Sequence, residues 1–196
     1  LEDKTLRYGW SGPGTSTYDV EGMLNLTGST AITGSNFNTY GNAIKTVAAG
    51  WYALVSKRVV GCNMNLVLSP FNYEELQASI SSVGIREFPI VEQMLNRYPS
   101  MPKGQVFLSP MYQSGDMLSG TPTLTPIIPA GSAVMCPVDP IGRYMDLVVG
   151  ANYVNDVFLN GPSTVFSPMA GIVVTSFVPR FTYPEAVGVI SGIGSS

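Results

Sequence analysis

The chain contains no histidine. That absence excludes Ser-His-Asp and Cys-His catalysis, histidine-ligated metals and imidazole titration near neutral pH. Charge is scarce as well: Asp, Glu, Lys and Arg make up 12% of the residues, against roughly 25% in ordinary soluble domains. Ten basic and 13 acidic side chains leave a net charge of −3, without the basic surplus that a generic nucleic-acid binder needs. The two cysteines, Cys62 and Cys136, belong to no CxxC pair and build no zinc site on their own. They read as two buried small apolar residues, with a single disulfide left open, and so few fit an intracellular origin. There is no stretch of about 18 apolar residues to span a bilayer. No charged-then-apolar leader opens the sequence, so a signal peptide is not expected.

The 196 residues, 45% of them apolar, suit one domain or two small ones with a real core. That apolar share with so little net charge is not the composition of a disordered chain. The charge is unevenly spread. Residues 1–97 carry 15 charged side chains and residues 98–196 only eight: Lys103, Asp116, Asp139, Arg143, Asp146, Asp156, Arg180 and Glu185. Either the second half has a neutral surface of Ser, Thr, Asn and Gly, or it shares its surface with neighbouring copies, since interface cores are depleted in Lys, Glu and Asp.

Glycines break residues 1–35 into turns, with short apolar pieces at Met23–Leu26 and Ala31–Ile32. A helix is expected over Asn38–Lys57, with Tyr40, Ile44, Val47, Ala48, Trp51, Leu54 and Val55 as its apolar stripe. Asn36 or Asn38 would cap its start, and Lys57 and Arg58 suit its negative end. A buried strand at Asn65–Leu68 runs into Ser69-Pro70, an N-cap followed by a first-turn proline. The helix begun there is expected to reach about Val83, with Tyr73, Leu76, Ile80 and Val83 on one face, and to end at Gly84. A further helix spans Pro89–Arg97, then a strand Gln105–Leu108. Eight of the 15 prolines fall within residues 99–140, which disfavours long central strands there. Met111–Pro129 reads as a long loop. Strands are expected at Ala133–Cys136, Asp146–Val149, Tyr153–Leu159, Gly171–Val178 and Ala186–Ile190, with Gly192–Ser196 a frayed tail. Mixed helices and strands followed by mostly strands suggest an α+β fold.

Catalytic motifs are missing. The sequence holds no P-loop and no GxSxG elbow, and its early glycines do not precede a helix as a dinucleotide fingerprint must. Glu74 and Glu75 are adjacent on a helix, diverge by about 100° and cannot face one substrate. Asp139, Asp146 and Asp156 would have to converge to hold a divalent cation. Asn25-Leu26-Thr27 matches a glycosylation sequon, read as accidental. Arg143 and Arg180 stand out where positive charge is rare: they pair with Asp139, Asp146 or Glu185, or they contact a neighbouring subunit. The aromatics Tyr153, Phe158, Phe166, Phe177, Phe181 and Tyr183 read as core.

The order of motifs resembles one family. The segment YDVEGMLNLTG at 18–28 is similar to the turn that follows the spine helix in the major capsid proteins of tailed phages, the Hong-Kong-97-like fold shared with encapsulins. The helix over Asn38–Lys57, NLVLSPFNYEELQ at 65–77, VFLSP at 106–110 and AGIVVTSFVPRFTYPEAVGVI at 170–190 resemble successive later elements of those proteins. The resemblance implies an α+β capsid-type axial subdomain, a mixed sheet with flanking helices, plus peripheral β-strands. It divides the chain into a turn-rich lead-in at 1–35, an axial-type subdomain at 36–135 and peripheral-type strands with a C-terminal tail at 136–196. It implies a self-assembling, non-catalytic major capsid subunit, or a fragment of one, that forms pentamers or hexamers. Such a subunit resides in a virion assembled in the host cytoplasm and has non-specific contact with packaged nucleic acid and none with a membrane. An encapsulin-type compartment shell and a non-catalytic surface binding module are the alternatives. No catalytic residue, cofactor or metal is expected. The candidate assembly residues are Tyr112 and Met117 in the long loop, Arg143, Arg180 and Glu185. Nothing here corresponds to the N-terminal arm, extended loop and spine helix that precede the matched region in full-length members.

Overall fold

The computed structural model describes residues 23–114, 123–139, 141–159 and 169–194. The chain order is β1 (Thr30–Thr33), α1 (Asn42–Ser56), β2 (Met64–Leu68), α2 (Pro70–Ala78), α3 (Glu87–Leu95), β3 (Val106–Leu108), β4 (Met111–Ser114) and β5 (Thr123–Pro126). It continues with β6 (Ser132–Pro137), β7 (Met145–Leu159), β8 (Met169–Phe181), a 3-10 turn (Pro184–Ala186) and β9 (Gly188–Ser191). Five strands form one mixed sheet in the order β1-β9-β6-β2-β3. β1 runs parallel to β9 and β2 parallel to β3, whereas β6 is antiparallel to both of its neighbours. The architecture is α+β, as expected. Strand β6 straddles residues 135 and 136, and β9 lies between β1 and β6.

Alternation along the strands decides which side the helices cover. β2 buries Met64, Leu66 and Leu68 beneath them, and β6 adds Ala133 and Met135, β9 Ile190 and β1 Ile32. From the helices come Val47, Trp51, Leu54, Leu76, Val91 and Leu95. Val134 points to the opposite face and meets Leu26, Ile128 and Val187 in a second, smaller core. Met145 and Phe181, at the base of the β7–β8 ribbon, pack against it.

Helix α1 is shorter than its periodicity suggested and buries a rotated face: Ala43, Thr46, Val47, Gly50, Trp51 and Leu54 point inward, while Val55 is exposed. Gly50 lies on the line of closest approach, where a Cβ would come within 2.8 Å of Met135 Sδ. Neither Asn36 nor Asn38 caps α1. Gly41 takes that position in the left-handed region with no side-chain cap. At the other end Val59 N–H donates to Leu54 O and Arg58 N–H to Val55 O, a Schellman closure with Arg58 at φ 65° where glycine is usual.

Four more expectations are corrected. Helix α2 keeps its Ser69 cap, whose Oγ accepts from Asn72 N (3.2 Å), but it ends at Ala78. Ile80 and Val83 are therefore not on its buried face but on an exposed turn, where Ile80 bridges Arg86. Residues 111–129 contain an antiparallel hairpin, β4 against β5, with Tyr112 opposite Thr125. The two strands expected at 146–149 and 153–159 are one strand, β7, paired with β8 through register shifts between Val149 and Val154. A bulge absorbs the break in alternation that divided them on paper. The tail is not frayed over its described part: Ile193 is buried, and Asn72 Nδ2 donates to the carbonyls of Ile193 and Gly194 at 3.3 and 3.1 Å.

Candidate assembly surface

The base of the ribbon is held by a relay of polar and aromatic side chains. Asp139, in the turn after β6, accepts from the backbone N–H of Tyr144 and of Met145, and its Oδ1 lies 3.7 Å from Arg143 Nε. Burial alone would push the Asp139 carboxyl up. The backbone N–H donors of Tyr144, Arg143 and Met145 and the Arg143 charge outweigh it and hold the group below its ordinary value. The Arg143 guanidinium lies 5.1 Å from the Tyr144 ring centroid, and Tyr144 lies 6.3 Å from Tyr183. Tyr183 Oη donates to Glu185 Oε2 (3.0 Å) and to Lys57 O (2.9 Å), and Lys57 Nζ pairs with Glu185 Oε1 at 3.3 Å. The Tyr183 hydroxyl and the Lys57 ammonium hold Glu185 below its usual range.

Two of the sequence candidates, Arg143 and Glu185, thus lie on one relay that ties the ribbon to the C-terminus of α1. Arg180 stands directly opposite Asp146 in the ladder and is exposed. Tyr112 lies on β4. Met117 lies outside the described residues. The three aspartates do not converge: Asp146 and Asp156 are ten residues apart on β7, about 33 Å of strand. Among the described residues no cluster of three metal-ligating side chains occurs. Both cysteines are free, and burial pushes Cys136 up to about 11 and Cys62 above its ordinary value despite the Arg143 charge. Their thiols are therefore protonated at neutral pH.

Sequence reading missed a buried carboxylate. Glu87 is fully buried, accepting from Ile44 N (2.9 Å) at Oε1 and from Ser79 Oγ (2.6 Å) at Oε2. It caps α1 from 43 residues away, which explains how Gly41 can start that helix without a side-chain cap. Also missed were exposed apolar groups: Ile80, Val83 and Ile85 on the turn between α2 and α3, and Phe107, Leu108, Met111 and Leu124 around β3 and the β4–β5 hairpin. The pattern gave no signal for them because periodicity assigns such residues to a core.

No protein-family model and no curated protein matches the sequence. Solved structures do match. The capsid of Myoviridae phage XM1 is similar over 97% of this chain and 60% of its own, with a TM-score of 0.64 and 14% identity. A virus-like particle from Pyrococcus furiosus is similar over 86% of this chain and 58% of its own, with a TM-score of 0.54 and 17% identity. The chain thus spans less than two thirds of the length of either. The likeness shows that this chain, with its mixed five-stranded sheet and flanking helices, shares the fold of these two solved structures, in line with the resemblance to Hong-Kong-97-like capsid proteins.

Proposed function

We propose that the chain is a structural subunit of a protein shell: a major capsid protein of a tailed-phage-like virus, or a portion of one. The observation that carries this reading is the likeness to a phage capsid over 97% of the chain. The exposed apolar side chains support it, because a shell subunit covers such groups with neighbouring copies. Its partners are further copies of itself, arranged as pentamers or hexamers, with non-specific contact to packaged nucleic acid. Its place is the virion, assembled in the host cytoplasm. The body around the five-stranded sheet corresponds to the axial subdomain and the β7–β8 ribbon to peripheral strands. Tyr112, Met117, Arg143, Arg180 and Glu185 remain assembly candidates. Of these, Arg143 and Glu185 act indirectly, by setting the angle at which the ribbon leaves the body. The subunit works without a catalytic centre or cofactor.

The likeness to the Pyrococcus particle favours a second reading, a compartment shell around protein cargo. Light scattering together with negative-stain imaging tests both. Rings, capsomers or closed shells support the shell reading, and nucleic acid or protein recovered from closed shells separates the two versions. A chain that stays monomeric at every concentration, both alone at 20.9 kDa and as part of a longer chain, overturns it.

A further inference from the structure

The turn between α2 and α3 is a rigid apolar tip. Ser81 N–H donates to Ile85 O (2.9 Å), Gly84 N–H to Ser81 O (3.0 Å) and Glu87 N–H to Ser79 O (3.0 Å). Ser81 Oγ accepts from Ile85 N (3.0 Å), and the Glu87 carboxylate ties the base of the turn to the first turn of α1. This bracing holds Ile80, Val83 and Ile85 in water at 49%, 77% and 50% exposure. Beyond the opposite end of α1 lies a cleft of about 240 Å³, lined by Cys62, Met101, Pro102, Val138, Ile141 and Arg143. Its wall is mostly apolar, Ile141 on its rim is 74% exposed, and the charge of Arg143 is met by Asp139.

We infer that the tip of one copy seats in this cleft of a second copy. The inference rests on the shell reading and names one contact between its copies. The cleft holds the volume of roughly eight waters at about 30 Å³ each, space for branched aliphatic side chains and too little for a folded element. The tip supplies three such side chains on a backbone whose hydrogen bonds are already made, so little order is lost on docking. The tip cannot fill its own cleft. They lie at opposite ends of a 15-residue helix, about 22 Å long, and both are anchored to it. Each copy therefore offers a tip and receives one. Such a head-to-tail contact closes into a ring or extends as a filament, according to the rotation between copies.

A photo-cross-linking amino acid at position 83, in the full chain, tests the contact. The expected product is an inter-copy cross-link to peptides containing Cys62, Met101–Pro102 or Val138–Arg143. Val83→Asp and Ile141→Asp, both at exposed positions, are each expected to weaken self-association at least tenfold in sedimentation while leaving thermal unfolding within a few degrees. Association that persists in both variants, or cross-links that land only elsewhere on the second copy, overturns the tip-in-cleft contact and leaves the shell reading standing. A wild-type chain that never self-associates overturns both.

Discussion

Among the described residues, Asp139 is the one with a buried side-chain oxygen that lacks a hydrogen-bond partner. Its side chain is 2% exposed, and its Oδ1 makes no hydrogen bond although Arg143 stands 3.7 Å away. Oδ2 takes the backbone donors that turn the chain into β7. Because its folded pKa is lowered, the group adds stability that is fully present above the unfolded carboxylate value of about 3.9. That stability is lost as pH falls through the folded value. Asp139→Asn keeps an acceptor for the Tyr144 N–H but removes the charge, and is expected to cost about 1–3 kcal/mol at pH 7. Urea unfolding from pH 7 down to pH 2 checks this: the gap between wild type and variant should close in acid. A gap that is constant with pH would show that shape, not charge, is what the turn needs. Arg58 makes the reverse case. It occupies the left-handed position of the Schellman closure at φ 65°, where a side chain costs energy that glycine avoids. Arg58→Gly is expected to stabilise the fold by about 0.5–1 kcal/mol, the relief at that position less the added freedom of the unfolded chain, read as a higher urea midpoint.

At the scale of elements, α1 depends on a residue remote in sequence. Glu87→Ala removes the acceptor for Ile44 N–H and strands Ser79 Oγ in the core. The expected cost is about 2–3 kcal/mol, and hydrogen exchange should quicken first in the opening turn of α1 and in residues 79–87. Faster exchange confined to the C-terminus of α1 would contradict this. This dependence explains part of what was legible in the sequence. Ser69-Pro70, a local cap, was read correctly, as were β2 and β3, short apolar runs bounded by turn residues. The α1 cap was not, because no local pattern announces a carboxylate 43 residues away. The inward face of α1 was misread for a related reason: Ala43 and Gly50 carry little hydrophobic signal yet mark where the helix lies closest to the sheet. Strand β7 was divided into two because bulges disturb its alternation, and β8 was ended at Val178, just before Pro179. In a two-stranded ribbon each strand has one free edge, so a proline can sit opposite Leu147 without breaking a central ladder. Of the site, the charged candidates were visible from their rarity, whereas the apolar tip was hidden inside an expected helix.

For the whole molecule, fold and the proposed self-association can be tested separately. Among the described residues, the buried apolar side chains lie between the five-stranded sheet and its helices and in the smaller core behind it. The ribbon runs on from that second core as two paired strands of 15 and 13 residues, the longer about 50 Å if fully extended. A long two-stranded ribbon adds little stability by itself, so a charge reversal near its base can be read for association apart from folding. Arg180 is placed to test this, being exposed near the base of the ribbon and opposite Asp146. Arg180→Glu sets two like charges across the ladder, a cost of about 0.2–1 kcal/mol and a few degrees at most in melting temperature. If the ribbon face meets a neighbouring copy, the same reversal also places a negative charge at an interface, where mismatched charge costs several kcal/mol. Self-association should then fall by tenfold or more while the melting temperature scarcely moves. Light scattering and thermal unfolding on the same sample separate the outcomes. Normal assembly by a folded variant would remove the ribbon base from the interface. A variant that unfolds would instead make Arg180 part of the brace that Asp139, Arg143, Tyr144, Tyr183 and Glu185 already form between the ribbon and α1.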